Sequence, residues 1–598
     1  MAAPTAVPEQ VTPAPIEQSP VTGDLPRWAR LASVGLALAY IAVHLVAAVR
    51  ENVNWDEIAL LARSVESIAS GVLIGGGRPG LATLLLIPFA EGGANSISAV
   101  IDARLFWSLF TFAYLAGIYA LVAHFDGGKR WSRAGLAAVG LIALVPLFQR
   151  WSLQVRTDQP ALAFATWGGV ALLASRKRPW LGAISGLLFA VGYLFTQKAA
   201  YVVALAGLLA AGALWIERDF RLRREALRVG GIAVAGLAVY FGYLRLVSFF
   251  FDFHLASPTT VIEAMGSYRQ LGLLVYRSLP ALMVPHLILG ILLAAATVRA
   301  FLQRNDDFRR CILAWLVLAA GFAAGFVHGS RFAYFWMTLG LFPAVGLGIG
   351  IGPILRSVRS RTGDLVLAFV GVLLLARAIP QADEITTDSV WRQERAVAFV
   401  DRNFAPGVRG FHPEKALFHR RDPNPFPTYF YRQIRAIFTG ANGRANAETF
   451  IGEFRKRNVA FMVDSHRLRM FPPLVQEFWA QHYIHYADSV YVAGRALQGE
   501  AGTKLSFEVI APGDYTLILP DDHPPARIAI GGNTVEPGKT VSLPAGVIEI
   551  ELLEPVGMGL FTLKLEEPPN PASYGPFYDP VALAELDGTR HWSWVPGL

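Results

Sequence analysis

Long apolar runs separated by short polar connections dominate the chain from residue 31 to residue 376. A bilayer core is about 30 Å thick, so a helix needs about 20 apolar residues to cross it. Eleven runs fit this length and predict transmembrane helices, at residues 31–49, 104–123, 133–149, 159–175, 180–196, 199–216, 229–248, 280–300, 311–328, 332–354 and 363–379. The fifth and sixth runs are separated only by a polar hinge at residues 196–198.

Beyond residue 380 the pattern changes, and charged, aromatic, proline and glycine residues become frequent. Helix-like stretches mixed with short strand candidates predict a small α/β unit at residues 385–498. Apolar residues then alternate with polar ones between Pro-Gly and Gly-Gly turns, which predicts a β-sandwich at residues 499–570. The predicted fold class is therefore an α-helical polytopic membrane domain at residues 27–380, followed by a soluble α/β unit and a small β-sandwich. Tails flank these domains at residues 1–26 and 571–598.

The composition supports a membrane protein and excludes several other classes. Of the 598 residues, 54% are hydrophobic and only 16% are charged, whereas soluble domains carry roughly 25% charged residues. The first 26 residues lack a basic start and an early apolar core, so they predict a disordered tail rather than a cleaved signal peptide. The single cysteine, Cys311, excludes a disulfide framework and a cysteine-based metal site.

The distribution of positive charge predicts how the chain is oriented. The net charge is +8, but the excess lies in short connections rather than in a surface typical of nucleic-acid binding, so no nucleic-acid partner is expected. With eleven spans, every strongly basic connection falls on one face, at residues 129–133, 176–178, 218–228, 304–310 and 356–361. Because positive loops stay inside, we expect a multi-pass protein of the cytoplasmic (inner) membrane, with a cytoplasmic N-terminus and a periplasmic or extracellular C-terminal region.

A pair of carboxylates directly after the first span is the first candidate for chemistry. Asp56 and Glu57 follow Asn54 and Trp55 at a membrane boundary, where carboxylates lose solvation. An acid there can act as a general base toward a hydroxyl group. The alternative is that both acids suit the positive end of a helix lying along the membrane surface.

A second group of polar residues is predicted on the same face. Asp158 precedes the fourth span and could equally cap that helix ahead of Pro160. Four cations reach this face, namely Arg150, Arg156, Lys198 and Arg331. They could hold a phosphate or pyrophosphate by charge-assisted hydrogen bonds. Alternatively, they reach toward lipid headgroups or pair with the acids.

The order of these motifs resembles that of the GT-C superfamily of membrane glycosyltransferases. The set comprises the Asp56-Glu57 pair, Arg78-Pro79 in the same loop, Arg156-x-Asp158-x-Pro160, Lys198 after the fifth span, and Arg331-Phe332-Ala333-Tyr334 with Pro343 in a late span. Protein O-mannosyltransferases and the bacterial aminoarabinose transferases that modify lipid A have a similar order. The resemblance covers about residues 31–380.

This resemblance implies transfer of a sugar from a polyprenyl-phosphate donor to a glycan, lipid or protein acceptor, with the lipid phosphate as leaving group. It implies that Asp56 is the catalytic base, supported by Glu57, and that Asp158 is the second acid of the outer loops. Arg78, Arg156, Lys198 and Arg331 are implied to contact the donor phosphate, although Arg78 stands in Arg-Pro-Gly instead of before Pro-Pro. A divalent metal stays open as a cofactor, with His254 and His328 as candidate ligands.

Two other classes of function stay open at this stage. A transporter or flippase of lipid-linked saccharides would use the outer charges as its substrate pathway, but transporters place polar groups near the middle of their spans. A non-catalytic scaffold for envelope assembly would display the C-terminal region and would have little need of acids at lipid boundaries.

Overall fold

The computed structural model describes residues 27–566, except 76–78, 129, 219–220, 254–282, 329–332, 359, 388, 414–416, 419, 421–436, 465–467, 488 and 522. Both predicted tails, at residues 1–26 and 571–598, therefore lie outside the described residues.

The first part of the described chain is helical. Its α-helices are α1 (Arg27–Arg50), α2 (Trp55–Ser70), α3 (Leu81–Gly92), α4 (Ser96–Phe125), α5 (Arg133–Ala143), α6 (Pro146–Trp151), α7 (Asp158–Ala174), α8 (Leu181–Phe195), α9 (Ala199–Glu217), α10 (Leu222–Val247), α11 (Val284–Leu302), α12 (Asp307–His328), α13 (Trp336–Leu339), α14 (Leu341–Ser357) and α15 (Ser360–Thr386). Two short parallel strands, β1 (Val72–Leu73) and β2 (Asp252–Phe253), join the segment after α2 to the segment after α10.

Eight of the described helices are long and apolar enough to cross a membrane. Each coincides with one of the eleven predicted spans, so the prediction of a polytopic helical membrane region is confirmed. The other three predicted spans also coincide with helices, but α7 and α8 have only 17 and 15 residues. The predicted span 133–149 is divided into α5 and α6, because Pro146 disfavours a helical conformation at Val145, which is extended.

The helices pack closely where glycines face each other. A Cβ atom at Gly186 of α8 would overlap the backbone carbonyl oxygen of Ile232 in α10. A Cβ atom at Gly236 would lie 3.2 Å from the carbonyl oxygen of Gly186. The two helices therefore meet backbone to backbone, which only small residues allow.

The basic connections gather at one end of the helical bundle, here called the basic end. They are joined by ion pairs between Arg133 and Asp364, Arg176 and Glu217, Arg218 and Asp306, and Arg356 and Asp307. Hydrogen bonds from Arg299 to the Ser357 carbonyl and from Arg309 to the Trp215 carbonyl add to these contacts. The grouping of these loops on one face, predicted from charge, is thus seen in the described residues.

The C-terminal region is rich in β-structure. Its elements are α16 (Trp391–Asn403), β3 (Gly410–Phe411), α17 (Gly443–Lys456), β4 (Phe461–Val463), α18 (Pro473–His482), β5 (Tyr483–Ala487), β6 (Val490–Gly499), β7 (Lys504–Val509), β8 (Gly513–Ile518), β9 (Ile528–Ile530), β10 (Asn533–Val535), β11 (Thr540–Leu543), β12 (Gly546–Leu552) and β13 (Val556–Leu563). One sheet has the order β11-β8-β13-β6-β4-β3, with β5 also paired to β6, and a second has the order β10-β9-β12-β7.

Strand β6 belongs to both of the soluble units that the sequence predicts. It pairs with β4 and β5 of the predicted α/β unit and with β13 of the predicted β-sandwich. One hydrophobic core runs from Val53 and Ile58, at the start of the helical region, through Val397 of α16 to Phe561 of β13. The described C-terminal region is therefore packed directly on the loop that carries Asp56, and the domain boundary at residue 498 stays a prediction.

Candidate active site

The first turn of α2 presents its two acids in different directions. Asn54 caps the helix by accepting a hydrogen bond from the backbone N–H of Asp56 at 2.9 Å, and Oε2 of Glu57 accepts one from the N–H of Asn54 at 2.9 Å. This reciprocal arrangement is a capping box. It turns Glu57 inward, whereas the side chain of Asp56 stays 28% exposed.

Glu57 is held in an ion pair that is completely buried. Arg104 of α4 donates from Nε to Oε1 at 2.7 Å and from Nη2 to Oε2 at 2.6 Å, and both side chains are 0% exposed. The backbone N–H of Val155 also donates to Oε1, at 2.8 Å. Arg104 donates further to three backbone carbonyl groups, those of Ala48, Glu51 and Asn52. Glu57 therefore ties three chain segments together, and its role in support of Asp56 stays a prediction.

Asp56 is paired with a cation from the loop before α7. Arg156 donates from Nη1 to Oδ2 of Asp56 at 2.7 Å. Its guanidinium carbon lies 3.7 Å from the centroid of the Tyr334 ring, a cation–π arrangement. The backbone carbonyl of Arg156 accepts a hydrogen bond from Trp107 Nε1 at 2.8 Å, which anchors the loop to α4.

A second acid and a second cation continue the network. Oδ1 of Asp158 lies 2.9 Å from Nζ of Lys198 at the start of α9, and Oδ2 lies 3.7 Å from Nε of Arg156. Nζ of Lys198 lies 4.6 Å from the Tyr334 ring centroid, so this ring faces both cations. Asp158 begins α7 as its first residue, and the side chain of Thr157 makes no capping hydrogen bond. Asp158 thus serves the network rather than a helix cap.

The electrostatics of the network are balanced. Burial acts to lower the pKa of Arg156, but the charges of Asp56 and Asp158 outweigh it, and the pKa of Arg156 is raised above its usual value. Two carboxylates, Asp56 and Asp158, face two basic side chains, Arg156 and Lys198. An anionic ligand at this place would compete with the two carboxylates for Arg156 and Lys198.

The structure brings together four of the residues predicted from the sequence, namely Asp56, Arg156, Asp158 and Lys198, all at the end of the bundle opposite the basic end. Arg150 lies nearby on α6, with Nε 4.0 Å from Oε1 of Glu51. Arg78, Arg331 and His254 lie outside the described residues, as does the side chain of His328. Among the described side chains, no group of three or more His, Cys, Asp or Glu is placed to hold a metal ion.

Arg104 and Trp107 have structural roles that the sequence analysis missed. The predicted span began at residue 104, whereas α4 begins at Ser96, so that Arg104 lies well inside the helix instead of at its end. An arginine within an apolar helix indicates a buried ion pair, because a buried charge requires a partner of opposite charge.

No protein-family model and no curated protein matches the sequence. The fold is similar to that of ArnT from Cupriavidus metallidurans bound to undecaprenyl phosphate, with a TM-score of 0.51 and 14% identity over 74% of this chain and 94% of that chain. The apo state of the same ArnT is matched with a TM-score of 0.39, at 16% identity over 78% of this chain and 97% of that chain. The arabinofuranosyltransferase AftD from Mycobacteria is matched with a TM-score of 0.40, at 13% identity over 91% of this chain and 61% of that chain. The match to ArnT bound to undecaprenyl phosphate confirms the kind of fold that the resemblance implied.

Proposed function

We propose that the chain is an inverting glycosyltransferase of the cytoplasmic membrane, which transfers a sugar from a polyprenyl-phosphate donor to a cell-envelope glycan, lipid or protein. The observation that carries this proposal is the network of Asp56, Arg156, Asp158 and Lys198. It places one partly exposed carboxylate, that of Asp56, beside Arg156, and joins Arg156 through Asp158 to a second cation, Lys198. Such a site offers a base for an acceptor hydroxyl and positive charge for a departing phosphate.

The reaction that suits this geometry is a single displacement. The acceptor oxygen bonds to the anomeric carbon while the bond from that carbon to the phosphate oxygen breaks, and the hydroxyl proton passes to Asp56. Arg156 releases Asp56 as it turns toward the phosphate, and Lys198 neutralises the charge that develops on the leaving group. Asp158 keeps Lys198 in place until the donor binds.

The donor class is supported by the similar fold of ArnT, which was solved with undecaprenyl phosphate bound. A polyprenyl phosphate needs no nucleotide site, and its phosphate would meet the network at the membrane boundary. Arg78 and Arg331 are proposed as further phosphate contacts, because the four central charges already balance one another.

The topology proposed for this enzyme has eleven spans, with α5 and α6 crossing together and the shorter α7 and α8 as two of the spans. The grouping of basic connections at one end supports a cytoplasmic basic end. The active site and the C-terminal region then lie on the periplasmic or extracellular side, where a cell-envelope acceptor is available.

The experiment uses purified protein, a radiolabelled polyprenyl-phosphate sugar and a membrane extract as acceptor source. Asp56→Asn removes the base, and general-base catalysis contributes about 100- to 10,000-fold, so transfer is expected to fall by at least that lower factor. The matched control is Asp102→Asn, an exposed acid on α4 near the same end, which should transfer at the wild-type rate. Equal rates of transfer by Asp56→Asn and the wild type would contradict the assignment of Asp56 as the base.

A further inference from the structure

The extended segment between α1 and α2 is held by a glutamine from the C-terminal region, which the sequence predicts to be soluble and which is called the soluble region below. Oε1 of Gln393 in α16 accepts a hydrogen bond from the backbone N–H of Val53 at 2.8 Å. Nε2 of the same side chain donates to the backbone carbonyl of Val53 at 3.0 Å. Both residues are buried, so one amide group satisfies both backbone groups of Val53, as a neighbouring strand would.

The residues just before α16 extend this contact. Oγ of Ser389 accepts a hydrogen bond from the N–H of Asn52 at 3.1 Å. The backbone N–H groups of Ser389 and Val390 donate to the carbonyl of Arg50 at 3.0 and 3.1 Å. Arg104 holds the same segment through carbonyl groups on the membrane side. The segment is thus fixed between a membrane helix and the soluble region.

A short series of hydrogen bonds links Gln393 to Asp56. Val53 is followed by Asn54, whose N–H is bound by Glu57 and whose side chain binds the N–H of Asp56. The backbone of Asp56 at the start of α2 is therefore tied to the position of residues 53 and 54, and from there its carboxylate meets Arg156. Loss of the Gln393 amide would leave two buried backbone groups without that partner, and the segment would shift to find others.

We propose that Gln393 is a positioning residue, through which the soluble region holds Asp56 in the geometry needed for transfer. The soluble region then contributes to the geometry of the active site. The catalytic half of this inference, that Gln393 affects transfer, rests on the proposed function. The structural half, that Gln393 holds Val53 in place, can be tested without turnover.

The kinetic test compares Gln393→Ala with Glu394→Ala, its exposed neighbour on α16. A misplaced base affects the chemical step rather than donor binding, and small misplacements can cost about 100-fold. Gln393→Ala is expected to lower kcat by about 10- to 100-fold while the KM for the donor changes less than about twofold, because Asp56 adds little to donor binding. Glu394→Ala should match the wild type in both constants. Wild-type kcat in Gln393→Ala would overturn the inference.

A reversible cross-link separates positioning from misfolding. The only native cysteine, Cys311, is buried, so Asn52→Cys with Ser389→Cys can form a new disulfide across the contact. In the Gln393→Ala background, oxidation is expected to restore most of the lost kcat, and reduction to remove it again. If the disulfide forms and kcat stays low in both states, Gln393 does not act by positioning.

Hydrogen exchange tests the contact independently of the reaction. The peptide containing Val53 should exchange faster in Gln393→Ala than in the wild type or Glu394→Ala, and unchanged exchange would overturn the structural half. A wild-type protein that does not use any polyprenyl-phosphate sugar would instead contradict the proposed function, while the exchange result would still stand.

Discussion

Arg104 and Glu57 form a two-pronged ion pair, with Nε–Oε1 and Nη2–Oε2 distances of 2.7 and 2.6 Å and no exposure of either side chain. The pair joins α4 to the first turn of α2, where the next residue toward the N-terminus is Asp56. Because three backbone carbonyls also bind Arg104, the pair organises the whole connection between α1 and α2.

Removal of one partner should therefore destabilise the protein strongly. Arg104→Met leaves the Glu57 carboxylate buried without its cation, which typically costs roughly 3–5 kcal/mol. Thermal unfolding in detergent should show a clearly lower Tm. The control is Arg133→Met, which breaks the ion pair with Asp364 at the basic end, where the side chains are 29% and 54% exposed, and exposed pairs contribute at most about 1 kcal/mol. Equal Tm changes in the two variants would contradict the assigned role of Arg104.

Lys198 is expected to act on the donor phosphate. A hydrogen bond to a charged group contributes about 1.5–3 kcal/mol, so Lys198→Met should weaken donor use, measured as kcat/KM, by about 10-fold or more. The double variant Lys198→Met with Asp158→Asn tests the origin of the loss, since it also removes the negative charge that Lys198 faces. If Lys198 contacts phosphate, the double variant stays impaired. Recovery of kcat/KM in the double variant would show that Lys198 only neutralises Asp158.

The contact between α8 and α10 predicts a difference between two glycines. Gly186→Ala places a Cβ atom against the carbonyl of Ile232, and such overpacking costs about 1–3 kcal/mol. Gly230→Ala, in α10, meets no heavy atom within 4 Å and should stabilise the helix by up to about 1 kcal/mol. The Tm in detergent should fall for the first variant and stay level or rise for the second; the reverse order would contradict the observed helix contact.

The proposed orientation can be checked by labelling cysteines in intact cells. Gln303 is exposed at the basic end and Glu500 is exposed in the C-terminal region. A membrane-impermeant maleimide should label Glu500→Cys in intact cells, but Gln303→Cys only after permeabilisation. Labelling of Gln303→Cys alone in intact cells would reverse the proposed sidedness.

Apolar length and loop charge were sufficient to predict the membrane region, because both depend on residues close together in the chain. The helices that differ from the prediction do so for local reasons that hydropathy does not contain. Pro146 divides a single apolar run into two helices. The helix that carries Arg104 begins eight residues earlier than its apolar core, since Asn95 caps it in the polar segment.

Sequence patterns alone were enough to predict the helical membrane region and the end of the bundle where the candidate residues gather, because hydropathy marks the spans and basic connections mark the opposite end. Only the packing of the helices gives those residues their different surroundings. Asp56 and Glu57 are neighbouring acids, yet Asp56 is partly exposed and faces Arg156, whereas Glu57 is buried against Arg104. Contacts between residues 47 and 340 positions apart, such as Glu57 with Arg104 and Val53 with Gln393, leave no local pattern in the sequence. They arise only when the helices and the soluble region pack together.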